Sequence, residues 1–215
     1  MKRFLYALIF STFVVISVSC LSYPGSGNPT PSSNPTTYTT KVVSDYISVT
    51  SFRDLVQSAD IIVVAKVVNR KDEGFNLARD PRDHSRPAAD ILSPAVAYEL
   101  QVEQYLKGRG ESTLYLLTAE RTLFPQQNDK ARAVVSHVTI PLQLNSRYVL
   151  FLRRVDMPYP DVPSKEWVAG VVEPYRFRLE GGMARVESPW PPAEKYFPAM
   201  PEEALRARVR ELVGH

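Results

Sequence analysis

The sequence holds one cysteine, three histidines, two tryptophans and nine glycines in 215 residues, and each scarcity removes a class of chemistry. A lone thiol cannot close an internal disulfide, so this is not a disulfide-stapled scaffold. His84, His137 and His215 stand far apart, with no H-x-H or H-E-x-x-H spacing, and give no basis for a histidine zinc site. A G-x-S-x-G elbow, a P-loop and a dinucleotide-binding glycine pattern are all missing. Charge of one sign is lacking too. Lys and Arg number 26 against 23 Asp and Glu, and without Lys2 and Arg3 the balance is 24 to 23. A net charge near +1 leaves no electrostatic footprint for nucleic acid. No cofactor and no metal are expected.

What is plentiful is proline, with 18 residues, beside a hydrophobic fraction of 44%. That combination suits a real core connected by turns and extended links rather than a helical bundle. The chain starts Met1-Lys2-Arg3, and an apolar run follows from Phe4 to Val18, relieved only by Tyr6, Ser11, Thr12 and Ser17. A positive start before such a run reads as an export signal, while a membrane-spanning helix needs roughly 20 apolar residues. An uncleaved anchor is the competing reading.

The sole cysteine sits at the end of this run, in Ser17-Val18-Ser19-Cys20. The segment resembles the lipobox of bacterial lipoproteins, in which small residues precede a cysteine that receives a diacylglyceryl thioether. The resemblance implies a signal peptide over residues 1–19, Cys20 as the lipid attachment site, and a cell-membrane or outer-membrane protein anchored on the extracytoplasmic side. Acylation would also consume a thiol that is otherwise exposed outside the cell. The alternative is an ordinary signal with a chance cysteine. Residues 21–40, LSYPGSGNPTPSSNPTTYTT, lack apolar periodicity and read as a disordered spacer, so residues 20–40 form a tether.

Residues 41–215 read as one β-barrel-like domain. Ser51, with Asp54 three residues on and Phe52, Leu55 and Val56 on one face, predicts a short helix. Ile61 to Val68 is β-branched on both faces apart from Lys66, as in a central strand. Arg70 to Ser93 is dense in charge and reads as a long loop. Val96, Tyr98, Leu100 and Val102 alternate with polar residues, a half-exposed strand. Further strands are expected over 113–118, 147–154 and 167–172. Gly181-Gly182 joins a hairpin between 175–179 and 183–186. Leu205, Val209, Leu212 and Val213 line one face of an amphipathic C-terminal helix over 201–213. Tyr98, Tyr148, Phe151 and Phe177 fall at inward positions.

The phrase Ala59-Asp60-Ile61-Ile62-Val63-Val64-Ala65-Lys66-Val67, followed after the loop by Tyr98 to Gly108, is similar to the opening strands of netrin-like domains. It covers about 50 residues and implies a small OB-type barrel with a short helix before it and the amphipathic helix after it. The inhibitor chemistry of that family requires a free N-terminal cysteine and several disulfides, which this chain lacks, so only the barrel is carried over.

Few residues converge on chemistry. Asp80, Asp83 and His84 share the long loop and could approach a cation, but Arg79, Arg82 and Arg86 balance them as in any solvated loop. Glu99 and Glu103 lie on one strand face opposite apolar residues, the ordinary solvent side. The better lead is Trp190, Tyr196 and Phe197 in the stretch SPWPPAEKYFP. Aromatics on a constrained segment either make a binding surface or clamp the tail to the barrel. The reading that follows is a membrane-tethered lipoprotein acting as a non-enzymatic binding or interaction module, held by its lipid anchor and meeting an envelope protein or glycan. A cell-envelope hydrolase built from scattered carboxylates and histidine is the alternative. Cys20→Ala is expected to abolish incorporation of labelled fatty acid, whereas equal label on wild type and variant would refute acylation at Cys20.

Overall fold

A computed structural model describes residues 48–119, 122–124, 132–134 and 140–214. Residues 1–19, read above as an export signal, Cys20, residues 21–40, read above as a spacer, residues 41–47, His137 and His215 lie outside the described residues. The elements in chain order are α1 (Phe52–Ser58), β1 (Ile61–Asn76), β2 (Pro94–Lys107), β3 (Thr113–Ala119), β4 (Thr122–Phe124), β5 (Arg132–Val134), β6 (Arg147–Arg154), β7 (Trp167–Gly170), β8 (Arg176–Glu180), β9 (Met183–Val186), α2 (Ala193–Tyr196), β10 (Met200–Pro201) and α3 (Glu202–Val213). The protein is mainly β.

β1 organises the rest. Along one edge it pairs antiparallel with β2, and along the other Ile61 to Lys66 pair with β6. β3 follows β2 antiparallel, β7 lies parallel to β3 through Tyr115 and Trp167, and β7 returns antiparallel to β6. Five strands thus close a ring in the order β1-β2-β3-β7-β6. The free edge of β6 is shared, with Leu152 to Arg154 on β7 and Arg147 to Leu150 on β8. β9 and β10 extend that eight-stranded sheet outward, while β4 and β5 pair apart from it.

This arrangement explains why residues 61–68 are apolar on both faces. Ile61, Val63, Ala65 and Val67 enter one core with Tyr98, Leu100, Leu116 and Tyr148. Ile62 and Val64 turn outward into a second core with Phe151 and Phe177, roofed by Phe52, Leu55 and Val56 of α1 and Leu205 and Val209 of α3. Helix α1 starts where expected, with Ser51 Oγ accepting from Asp54 N at 3.2 Å. The Lys-Gly turn closes its other end. Lys107 Nζ donates to the carbonyls of Val56 and Ala59, orphan acceptors at the helix terminus. Gly108 has φ +72, and a Cβ there would stand 2.9 Å from Asp60 O, so no other residue fits the turn against β1. Gly181 and Gly182 both take positive φ in the β8–β9 hairpin.

Two expectations are corrected. The long loop begins at Leu77, not Arg70, because β1 continues to Asn76 against Val96 to Tyr98 and Pro94 of β2. The charged residues 70–73 suggest a loop, yet backbone pairing with an antiparallel neighbour is indifferent to side-chain polarity when the strand faces are open. The strand expected over 167–172 ends at Gly170. On α3, Leu205 and Val209 are fully buried, Leu212 is half-buried and Val213 is exposed. An ion-pair cluster fastens this helix to the sheet: Arg147 binds Glu103 and Glu202, and Arg206 binds Glu202 and Gln104. Leu205→Ala is expected to cost about 2–4 kcal/mol, while Val213→Ala should stay within ~0.5 kcal/mol. Denaturant unfolding of the full chain separates them, and equal midpoints would contradict docking of α3.

Candidate functional site

A register shift between Val67 and Asn69 places one extra residue in β1. The parity of the strand therefore flips. Before the bulge the odd residues face the ring interior, and after it Asn69 pairs with Glu99 and Lys71 with Ala97 on the outer face. Tyr115 of β3 stands opposite Glu99, and Trp167 of β7 opposite Tyr115. One row of side chains, Asn69, Glu99, Tyr115 and Trp167, thus crosses four strands.

Two loops frame this face, the β1–β2 connection (77–93) and the β6–β7 connection (155–166). Asn76 knots the first. Its Nδ2 donates to Ala88 O and Ile91 O, and its Oδ1 accepts from Ala78 N and Ser93 N. The second loop is held to the first by Arg79, whose Nη1 reaches both oxygens of Asp161 at 2.8 and 3.1 Å. The Arg79 guanidinium lies 4.1 Å from the Tyr159 ring centroid. Nε and Nη2 of Arg79 have no hydrogen-bond partner among the described residues, and the ring face offsets part of that desolvation. Beneath the loops a third apolar cluster, Phe75, Ala95, Ala97, Leu117 and Trp167, covers part of the outer face.

What stays open is a pocket of about 200 Å³ lined by Asn69, Lys71, Glu73, Ala97, Glu99, Tyr115 and Lys165. Glu73, with its side chain 2% exposed, meets Lys165 Nζ at 2.7 Å and Lys71 Nζ at 3.7 Å. Lys165 also lies 4.7 Å from the Tyr115 ring centroid and 5.0 Å from that of Trp167. Two ammonium groups, two carboxylates, a phenol and an amide over an aromatic floor offer donors and acceptors without a net charge. A cavity of about 330 Å³ adjoins under the β6–β7 loop, lined by Tyr159, Val162, Lys165 and Trp167 among others. Lys165 and Trp167 border both the floor and this cavity.

Of the residues singled out from sequence, Glu99 lines the pocket, whereas Glu103 is taken by Arg147. Asp83 accepts from Ser85 N and Oγ, which holds its carboxyl below the usual range, and pairs with Arg86; Asp80 accepts from Arg82 N. The two acids serve the loop's own turns. No group of three or more His, Cys, Asp or Glu suited to a metal occurs among the described residues. Phe197 is fully buried, edge-on to Phe52 at 4.9 Å, so it offers no surface and must be dropped from the candidate binding residues. Trp190 and Tyr196 stack on each other away from the pocket. Lys71, Glu73, Tyr115 and Lys165 were not anticipated. The signal that could have found them is the doubled Val67-Val68 before Asn69, where alternation slips by one.

A separate buried cluster is structural. Arg176, 1% exposed, donates to Glu187 O, Ile140 O and Tyr175 Oη. Burial pushes the Glu173 carboxyl above its ordinary value, against opposing pulls from Ser188 Oγ and Arg176. No protein-family model matches the chain and no curated protein matches it. The geometry therefore carries the functional reading alone.

Two outcomes follow. Asn76→Ala removes four hydrogen bonds and is expected to open 77–93 to limited proteolysis before any other described segment, while wild type resists there. Unchanged cleavage would contradict Asn76 as the organiser. For Glu173, the folded state holds the proton more tightly than the unfolded chain. Its contribution to stability is present below the unfolded pKa and lost as pH rises through the raised folded value. Glu173→Gln should therefore match wild type in acid and exceed it at neutral pH in thermal melts; a constant difference across pH would contradict the raised pKa.

Proposed function

We propose that this chain is a membrane-tethered extracytoplasmic lipoprotein whose OB-type barrel is a binding module for an envelope glycan or protein segment. The ligand site is the face of β1, β2 and β3 between the two framing loops. The observation that carries this is the open polar pocket of Lys71, Glu99, Tyr115 and Lys165, on an otherwise roofed sheet face.

Ring order supports the OB-type reading. In sequence order the five ring strands run first, second, third, fifth, fourth and back to the first, with third and fifth parallel. We read this order as a Greek-key ring of the OB type; barrels of that type present the faces of their second and third strands, with the first–second and fourth–fifth loops, to oligomeric ligands. The loops 77–93 and 155–166 occupy those two places. Rows of neutral-sum polar groups on an aromatic floor suit a hydroxyl-rich or mixed-charge ligand better than a polyanion.

Position along β1 separates the entry of the described chain from the pocket. Val49 N donates to Glu173 O, next to the start of β8, so the chain enters the domain near the level of Ile62 and Phe151. The pocket begins about seven residues further along β1, on the order of 25 Å away at ~3.3 Å per residue. No helix among the described residues is long and apolar enough to cross a membrane.

The hydrolase reading has one observation in its favour, the shared pocket of Glu73 and Glu99, but Glu73 is bound by two lysines. Affinity capture from intact envelopes with full-length wild type and a Lys71→Glu, Glu99→Lys double variant tests the proposal. The expected result is a ligand recovered unaltered by wild type and lost by the variant. Equal recovery by both would overturn the pocket, and a cleaved ligand would favour the hydrolase.

A further inference from the structure

The stretch from Ser188 to Phe197 is built unlike a mobile tail. Ser188 Oγ donates to Glu173 Oε2 at 2.6 Å and accepts from Trp190 N at 3.1 Å. Phe197, at the far end, is sunk in the second core between Phe52 and Phe177. Pro191 and Pro192 fix φ between the two anchors. The rings this segment displays are therefore held in place. Trp190 and Tyr196 lie parallel, 4° apart with centroids 5.5 Å apart, and Tyr196 is 40% exposed. Lys195 Nζ stands 5.7 Å from the Tyr196 ring centroid.

The same Glu173 that anchors Ser188 receives the hydrogen bond from Val49 N, and Val49 and Trp190 pack on one cluster. The aromatic plate thus sits beside the point where the N-terminal segment joins the domain. Upstream of that point the sequence carries the apolar run from Phe4 to Val18 and Cys20.

We infer that Trp190 and Tyr196, with Lys195, form a lipid-interface contact that seats the domain's N-terminal side at the headgroup level of the bilayer. This rests on the tether reading above. Indole and phenol rings carry an apolar body and a polar tip, the combination that concentrates at membrane interfaces. A lysine beside them extends its ammonium toward phosphate. A sugar is a poorer occupant, because each ring already covers one face of the other and no cleft is left between them. The tether also supplies the opportunity. With residues 21–40 read as the spacer, its root-mean-square reach is about 25 Å, so a weak second contact is made at high effective concentration. Anchors that combine two weak membrane signals are the stable ones.

Tryptophan emission reads this directly, because Trp167 is buried with Nε1 bonded to Pro163 O, whereas Trp190 is half-buried and stacked on the exposed Tyr196. Full-length protein purified from membranes is reconstituted in vesicles of phosphatidylethanolamine and phosphatidylglycerol, with and without brominated acyl chains. The expected result is loss of the Trp190 share of emission in brominated vesicles, absent in Trp190→Phe and weakened in Tyr196→Ser. Vesicle association without quenching would overturn the contact and leave the tether standing. Quenching that persists in Trp190→Phe would also overturn it, by placing the Trp167 face on the membrane. Failure of the wild type to associate with vesicles at all would overturn the tether and this contact with it.

Discussion

The structure depends on β1 having both edges paired and both faces buried. Ile62 to Lys66 satisfy backbone groups on β2 and β6 at once, so no edge is left there, and the side chains of Ile61 to Ala65 feed two separate cores. Ring closure, the roof of α1 and α3, and the level of every other strand follow from that segment. Its end is equally determining. The bulge after Val67 turns the strand's odd residues outward, and the same backbone that builds the core then presents Asn69 and Lys71 to solvent and places the Glu73 side chain, buried, beneath Lys71 and Lys165. One irregularity converts a core strand into one wall of a pocket.

Much of the fold was legible in the sequence, and the reason is period. Strict alternation over 96–102 and the apolar run over 61–68, broken only by Lys66, report burial directly, and both strands stand where expected. The β6 bounds, the Gly181-Gly182 hairpin and the docking of Leu205 and Val209 follow from the same kind of signal. The continuation of β1 through Arg70 to Asn76 was hidden because charge there reflects open faces, whereas strand identity there comes from β2, a partner beyond the long loop. A barrel-like closure was expected, but the pairing that closes the ring was not legible. β7 joins β3 through a short parallel pairing that no local pattern encodes.

The site was less legible than the fold. Glu99 was noted but read as solvent-facing, and Lys165 sits in a Pro-rich link whose composition says only that it is not a strand. Their meeting is a product of topology, since Glu73, Tyr115 and Lys165 come from three segments of chain brought together by the ring. The aromatic segment was legible as constrained, yet its sequence could not separate Phe197, which clamps, from Trp190, which is half-buried, and Tyr196, which is exposed. Burial decides that division, and it gives the domain two distinct ends, a polar pocket framed by loops and an aromatic plate beside the N-terminal connection.

The central claim is that the pocket face, and not the hairpin or helix surfaces, meets a ligand in the envelope. Site-specific photo-crosslinking in intact cells tests it most directly, with a photoreactive side chain at position 71 in the pocket or at position 180 beside the β8–β9 turn. The account predicts a discrete adduct from position 71 and none from position 180. Adducts from position 180 alone, or equal diffuse labelling from both, would contradict it.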